Sequence, residues 1–135
     1  MSMDYGQSPY VADVQNMADR NQNFRVAIWT GSNLQMTLMS IPVCGEIGTE
    51  IHPHTDQMLR IEQGRGVVEM GKCECRMDFR QCVRCGDVIF VPAGIWHNLT
   101  NTGGCPLKIS SVYAPPNHPM GTVQRTKEEA EQEEY

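Results

Sequence analysis

Short runs of alternating polarity, separated by glycine, proline and asparagine, fill the chain from Phe24 to Ala114. Phe24-Arg25-Val26-Ala27-Ile28-Trp29 and Leu34-Gln35-Met36-Thr37-Leu38-Met39 predict two strands, and the intervening Gly31-Ser32-Asn33 suits a hairpin turn. Further strands are predicted at Gln57 to Glu62, Gly66 to Met70, Asp87 to Val91, Trp96 to Thr100 and Leu107 to Ala114. Gly64-Arg65-Gly66, Pro92-Ala93-Gly94 and Asn101-Thr102-Gly103-Gly104 punctuate them. Within one run Asp87, Ile89 and Val91 alternate with Val88 and Phe90, so a single set is expected to fill an interior. Many short strands with no long helix between them indicate an all-β barrel or sandwich.

The flanks read differently. Val11, Val14, Met17 and Ala18 recur at helical spacing, predicting a short helical turn within an N-terminal arm, 1–23. The barrel is expected over 24–116. Beyond Pro115-Pro116 the chain is expected to leave it as a C-terminal extension, 117–135. There Thr126-x-x-Glu129 is a capping-box pattern for a short acidic helix, a frayed tail being the alternative.

Composition narrows the classes. A chain of 135 residues suits one domain with one core. No apolar run approaches the roughly 18 residues that span a bilayer. Met1 to Tyr10 is polar and lacks a signal-peptide pattern, so the expectation is a cytoplasmic protein without a membrane partner. The net charge of -5, with no cluster of Lys or Arg, argues against nucleic acid. In such a compartment the six cysteines are expected to be reduced. Cys73-x-Cys75-x6-Cys82-x2-Cys85 allows two readings. A turn at Met77 to Arg80 would place Cys75 opposite Cys82 and allow a four-thiolate zinc site, or the cysteines are only small apolar fillers. Cys44 and Cys105 suggest packing alone.

Three of the four histidines carry the chemistry. Side chains two apart on a strand point the same way, so His52 and His54 of His52-Pro53-His54 can hold one cation together. His97 would arrive from another strand. Three neutral imidazoles buried in a barrel would each need a partner, and one divalent cation serves all three. His118, in Asn117-His118-Pro119, reads as a loop residue. Trp29 and Trp96 are packing residues or walls of a pocket. Arg60 and Glu62 lie out of phase with Gln57, Leu59 and Ile61 and should face away from the metal. Tyr113, late on the last strand, is the nominated acid or base.

Gly86-x5-Pro92-x-Gly94-x2-His97-x3-Asn101 matches every fixed position of the second cupin motif, and the chain resembles the cupin family. The first cupin motif, G-x5-H-x-H-x3,4-E-x6-G, is met at His52, His54 and Gly64. Glu46 stands where its opening glycine belongs, and Gln57 where its glutamate does, with the gap after His54 one residue short. Tyr113 to Pro119 and Gly121-Thr122-Val123, with His52 to Gln57, are similar to small bacterial single-domain cupins, some labelled mannose-6-phosphate isomerase-like.

The resemblance implies a double-stranded β-helix (jelly-roll) barrel, often paired through an edge strand into a homodimer. It implies a divalent transition metal (zinc, nickel, iron, cobalt or manganese) held by His52, His54, Gln57 and His97, with Asn101 tying down a turn. A neutral Gln57 would leave both charges of the ion uncompensated and favour Lewis-acid chemistry over dioxygenation. Asp56, swinging in as an anionic ligand, would undo that argument. A similar three-histidine, one-glutamine set is found in certain sugar-acid-processing members and aromatic polyketide cyclases. The leading expectation is a redox-neutral isomerase, lyase or cyclase acting on a small sugar-derived, carbonyl or phenolic substrate. The alternatives are a non-catalytic small-ligand-binding protein and an iron-dependent dioxygenase.

Overall fold

The structure, a computed structural model, describes residues 3–133. Its elements follow the predicted punctuation: α1 (Val14–Arg20), β1 (Arg25–Thr30), β2 (Gln35–Ile41), β3 (Asp56–Gln63), β4 (Arg65–Gly71), β5 (Phe79–Arg84), β6 (Val88–Val91), β7 (Trp96–Asn101), β8 (Leu107–Ala114), β9 (Val123–Gln124) and α2 (Lys127–Gln132). Six strands form one sheet in the order β6-β3-β8-β2-β1-β9, and three form a second, β5-β4-β7. Every pairing is antiparallel. The all-β jelly-roll class is therefore correct. No described helix is long and apolar enough to cross a membrane.

Alternation divides the inward side chains into two ends. From the large sheet Met39, Ile41, Leu59, Ile61, Leu107 and Ile109 meet Val68, Met70, Val83 and Leu99 of the small one. Further along the same inward rows the residues become polar. Gln35 and Thr37 precede Met39 on β2, Gln57 precedes Leu59 on β3, and Ser111 and Tyr113 follow Ile109 on β8. Cross-strand register sets them side by side: Gln35 and Gln57 flank Tyr113, and Thr37 faces Ser111. One end of the barrel is an oily core and the other a buried polar chamber. Ile89 and Val91 point inward from β6, while Val88 and Phe90 are exposed, as the alternation predicted.

The outer face of the large sheet is covered by the arm. Asp13 caps α1 by accepting from the Asn16 amide at 3.2 Å. Ala18 then packs on Val26, Ile28 and Leu38, with Met36 alongside. Lys108, Ser110 and Glu62 are buried on that side, and Ser110 donates to Glu62 at 2.6 Å. Arg60 pairs with Glu62 at 3.0 Å, so both face away from the chamber.

Two expectations need correction. The chain beyond Pro116 does not simply leave: His118 accepts from the Gln35 amide at 2.8 Å, and β9 adds to the sheet beside β1. The Cys75–Cys82 pairing that a turn at Met77 to Arg80 would allow does not form, because β5 already begins at Phe79 and Cys82 faces Val67. Cys73 and Cys75 are joined in a disulfide, whereas Cys44, Cys82, Cys85 and Cys105 are free and exposed. They are neither core fillers nor a four-thiolate cluster. Asn101 does tie down a turn: its amide nitrogen donates to the carbonyls of Ile41 (3.1 Å) and Cys105 (2.9 Å), and its oxygen accepts from Gly103 (2.9 Å).

Truncation in the oily end should be costly. Ile109→Ala is expected to destabilise the protein by about 3 kcal/mol in urea unfolding, and Phe90→Ser on the outer face by less than about 0.5 kcal/mol. Equal effects would mean that the inward and outward rows are misassigned.

Candidate metal centre

The site is assembled on an extension of the smaller sheet. The segment from Gly45 to Glu50 runs along β7: Ile47 donates to Leu99 (2.9 Å), and Glu50 and His97 exchange both backbone hydrogen bonds at 3.0 and 2.9 Å. Residues directly opposed in an antiparallel pair project to the same face. Glu50 and His97 therefore meet inside the barrel. His52, two residues after Glu50, shares that face, and its carbonyl accepts from Gly94 at 2.9 Å. Gly94 has φ +83, a left-handed conformation that glycine adopts readily.

The result is one tight group. Glu50 Oε1 lies 3.3 Å from His52 Nε2 and 3.4 Å from His97 Nε2. Two donors about 2.1 Å from a common ion in a tetrahedral or octahedral shell are separated by about 3.0–3.4 Å, so the spacing fits a shared cation. His97 Nδ1 lies 3.1 Å from the Ile95 carbonyl. A proton held there leaves the lone pair of Nε2 for a metal. Glu50 Oε1, His52 Nε2, His97 Nε2 and Gln57 Oε1 are all buried without a hydrogen-bond partner. An ion pair with one protonated ring would satisfy only one of the two imidazoles. A cation satisfies both, and the donor set of carboxylate and imidazole suits a divalent transition ion.

The sequence-predicted ligands divide accordingly. His52 and His97 are brought together, at 9% and 3% exposure. Gln57 enters the same polar layer from β3: its nitrogen donates to Ser111 at 2.9 Å, its oxygen is left over, and its cross-strand neighbour Tyr113 packs edge-on against His52 at 5.7 Å. His54 is not among them. The chain turns at Pro53-His54, which ends the two-residue alternation and leaves His54 exposed. Asp56 is also exposed, and its Oδ1 accepts from the Ala93 amide at 2.9 Å. Glu50 is the candidate ligand that sequence reasoning missed. Spacing could have found it: Glu50-x-His52-x4-Gln57-x6-Gly64 removes the short gap that His52-x-His54 creates. Among the described residues this is the one cluster of three or more His, Cys, Asp or Glu donors close enough to hold an ion.

The electrostatics are strongly shaped by enclosure. Burial alone raises the Glu50 carboxyl, but contacts with the His52 and His97 rings and the charge of Arg25 outweigh it, holding Glu50 below the usual carboxylate range. Burial pushes the Tyr113 phenol above its ordinary value. Burial, with Arg25 nearby, brings His118 down from 6.5 to about 3. His118 packs edge-on against Tyr113 at 5.1 Å, so it belongs to the chamber and not to a surface loop. A cavity of about 710 Å³ opens beside Glu50 and His52, walled by Arg25, His118, Gln124 and Lys127. Trp29 and Trp96 do not line it. Trp29 donates to the Ser8 carbonyl at 2.8 Å instead.

Two outcomes follow. Glu50→Ala and His97→Ala should each lose about one metal equivalent by elemental analysis of protein loaded with zinc or nickel, whereas His54→Ala and Cys82→Ala should keep it. Full retention by Glu50→Ala would remove it from the ligand set. The second concerns pH. The unfolded chain protonates His118 near 6.5 but the folded chain only near 3, so metal-free protein should lose stability as pH falls through this window. The slope contributed is at most about 1.4 kcal/mol per pH unit. Urea unfolding of His118→Gln at pH 6.5 and 4.5 should show a flatter dependence than wild type (an equal slope would exclude His118 as its source).

Comparison with known proteins agrees with this architecture. Residues 37–113 match the family model described as a cupin domain. Protein YrkC of Bacillus subtilis (strain 168) is 53% identical over 127 residues, 94% of this chain and 68% of that protein. The crystal structure of BH2720 from Bacillus halodurans superposes with a TM-score of 0.95 at 51% identity, covering 96% of this chain and 98% of that one. A protein with a double-stranded β-helix domain from Klebsiella pneumoniae shares the fold at a TM-score of 0.67 and 17% identity, over 88% of this chain and 100% of that one. The chain belongs to the cupin domain family, with Glu50, His52 and His97 forming its candidate metal site.

Proposed function

We propose that the protein binds one divalent transition metal through Glu50, His52 and His97, with Gln57 Oε1 as a fourth donor, and acts on a small sugar-derived, carbonyl or phenolic substrate. The reaction class is redox-neutral, of the isomerase or lyase type. The carrying observation is the convergence of Glu50 Oε1, His52 Nε2 and His97 Nε2, buried with no hydrogen-bond partner outside the three, while Gln57 Oε1 is also buried without one. Such atoms are costly to bury unpaired.

The ground for a redox-neutral reaction differs from the sequence-based one. That expectation rested on an all-neutral donor set, and Glu50 restores an anion to it. Tyr113 now supports the assignment. Its phenol is wholly buried beside His52, and burial keeps it protonated at neutral pH. Tyr113 thus holds a proton at Oη as a general acid, while the walls of the barrel exclude water. A bound divalent ion would supply polarisation of a substrate oxygen. The second reading, an iron-dependent dioxygenase, is favoured by the donors themselves, since two imidazoles and one carboxylate suit iron(II).

An oxygen electrode and product analysis separate the two, using iron- and zinc-loaded protein against a panel of uronic acids and phenols. The proposal expects conversion without oxygen uptake, reduced about 100-fold or more in Tyr113→Phe at unchanged metal content. Stoichiometric oxygen uptake with iron, insensitive to Tyr113→Phe, would support the dioxygenase and overturn the proposal.

A further inference from the structure

Arg25 is the one charged residue of β1. Its neighbours Val26 and Ile28 pack outward under α1, so Arg25 takes the inward face and is only 5% exposed. It lines the cavity that also reaches Glu50 and His52. A buried guanidinium normally meets a carboxylate, because losing its water is costly and only an anion restores much of that loss. Here it does not. Nη1 donates to the neutral Gln124 side chain at 2.7 Å, the Phe24 ring lies 5.3 Å away, and Nε is buried without an acceptor. No carboxylate pairs with Arg25 among the described residues. The one acid deep in the chamber, Glu50, points its Oε1 at the two imidazoles.

Charge accounting then identifies the missing partner. Lys127 is already placed between Glu46 (3.8 Å) and Glu131 (4.0 Å) at the cavity wall. Exposed Glu133 lies at the rim, where water screens it. Deeper in, among the described residues, Glu50 is the carboxylate that would face a divalent ion and Arg25, while Glu46, Glu131 and Glu133 lie with Lys127 nearer the mouth. A ligand with two anionic groups would meet both buried cationic points, the ion and the Arg25 guanidinium. We propose that the ligand is a small organic acid with two anionic oxygen groups, one directed to the metal and the other held by the Arg25 fork. Arg25 is thus the residue that selects for a carboxylate. The inference rests on the metal reading above.

The test uses the full chain loaded with cobalt(II), whose visible absorption reports ligands arriving at the metal. Oxalate, malonate and succinate serve as dianionic probes and acetohydroxamate, which chelates as a monoanion, as a probe with no second anionic group for Arg25. At least one dicarboxylate should perturb the wild-type spectrum. Arg25→Gln should weaken that dicarboxylate about tenfold or more, leaving cobalt content and acetohydroxamate affinity within about twofold. Gln124→Glu provides a second variant that places an internal carboxylate against Arg25. It should raise thermal stability without ligand and weaken the same dicarboxylate. Equal dicarboxylate affinity in wild type and both variants, or no dicarboxylate response with acetohydroxamate still binding, would overturn the Arg25 assignment alone. Failure of wild type to take up cobalt would overturn the metal reading and this one with it.

Discussion

The backbone pairing of Glu50 with His97 is the constraint on which the site depends. Two hydrogen bonds hold these residues opposite one another on antiparallel strands, which compels a carboxylate and an imidazole to share one buried face. His52 follows by strand alternation, and Gln57 and Tyr113 arrive from the facing sheet. A barrel interior cannot leave such atoms without partners at small cost. A bound ion or ligand would therefore add to the stability of the polar chamber. The oily end formed by Leu59, Ile61, Leu99 and Ile109 supplies the stability that lets the other end remain polar.

Much of the barrel was readable from alternation. Leu107 to Ala114 forms β8 with the bounds predicted, and in β6 one alternating set, Ile89 and Val91, fills the interior. Period-two patterning is reliable when one face is buried and the other wet, because a slip of one residue would exchange them. β5 escaped notice for the same reason: of Phe79–Arg84 only Val83 is buried, so the strand has almost no apolar row to betray it. The return of β9 was hidden too, since two residues carry no period.

The ligands were half legible. His97 sits in a motif whose glycine and proline corner fixes its position, and it is where expected. His52 and His54 looked equivalent because alternation was carried through Pro53. The structure turns there, and the useful alternation runs backwards, to Glu50. That shift by two residues changes the donor set, since it exchanges an imidazole for an anion that would lower the net charge of a metal bound there. Arg25 carried a signal that was overlooked: a lone cation in an apolar strand must either reach solvent or find a buried role.

Anomalous diffraction from a crystal of the metal-loaded protein, collected at the absorption edge of the bound ion, measures this account most directly. One peak is predicted about 2.0–2.2 Å from Glu50 Oε1, His52 Nε2 and His97 Nε2, with Gln57 Oε1 facing it. A peak at His54 or among the exposed cysteines, with Glu50 turned away from the two rings, would contradict it.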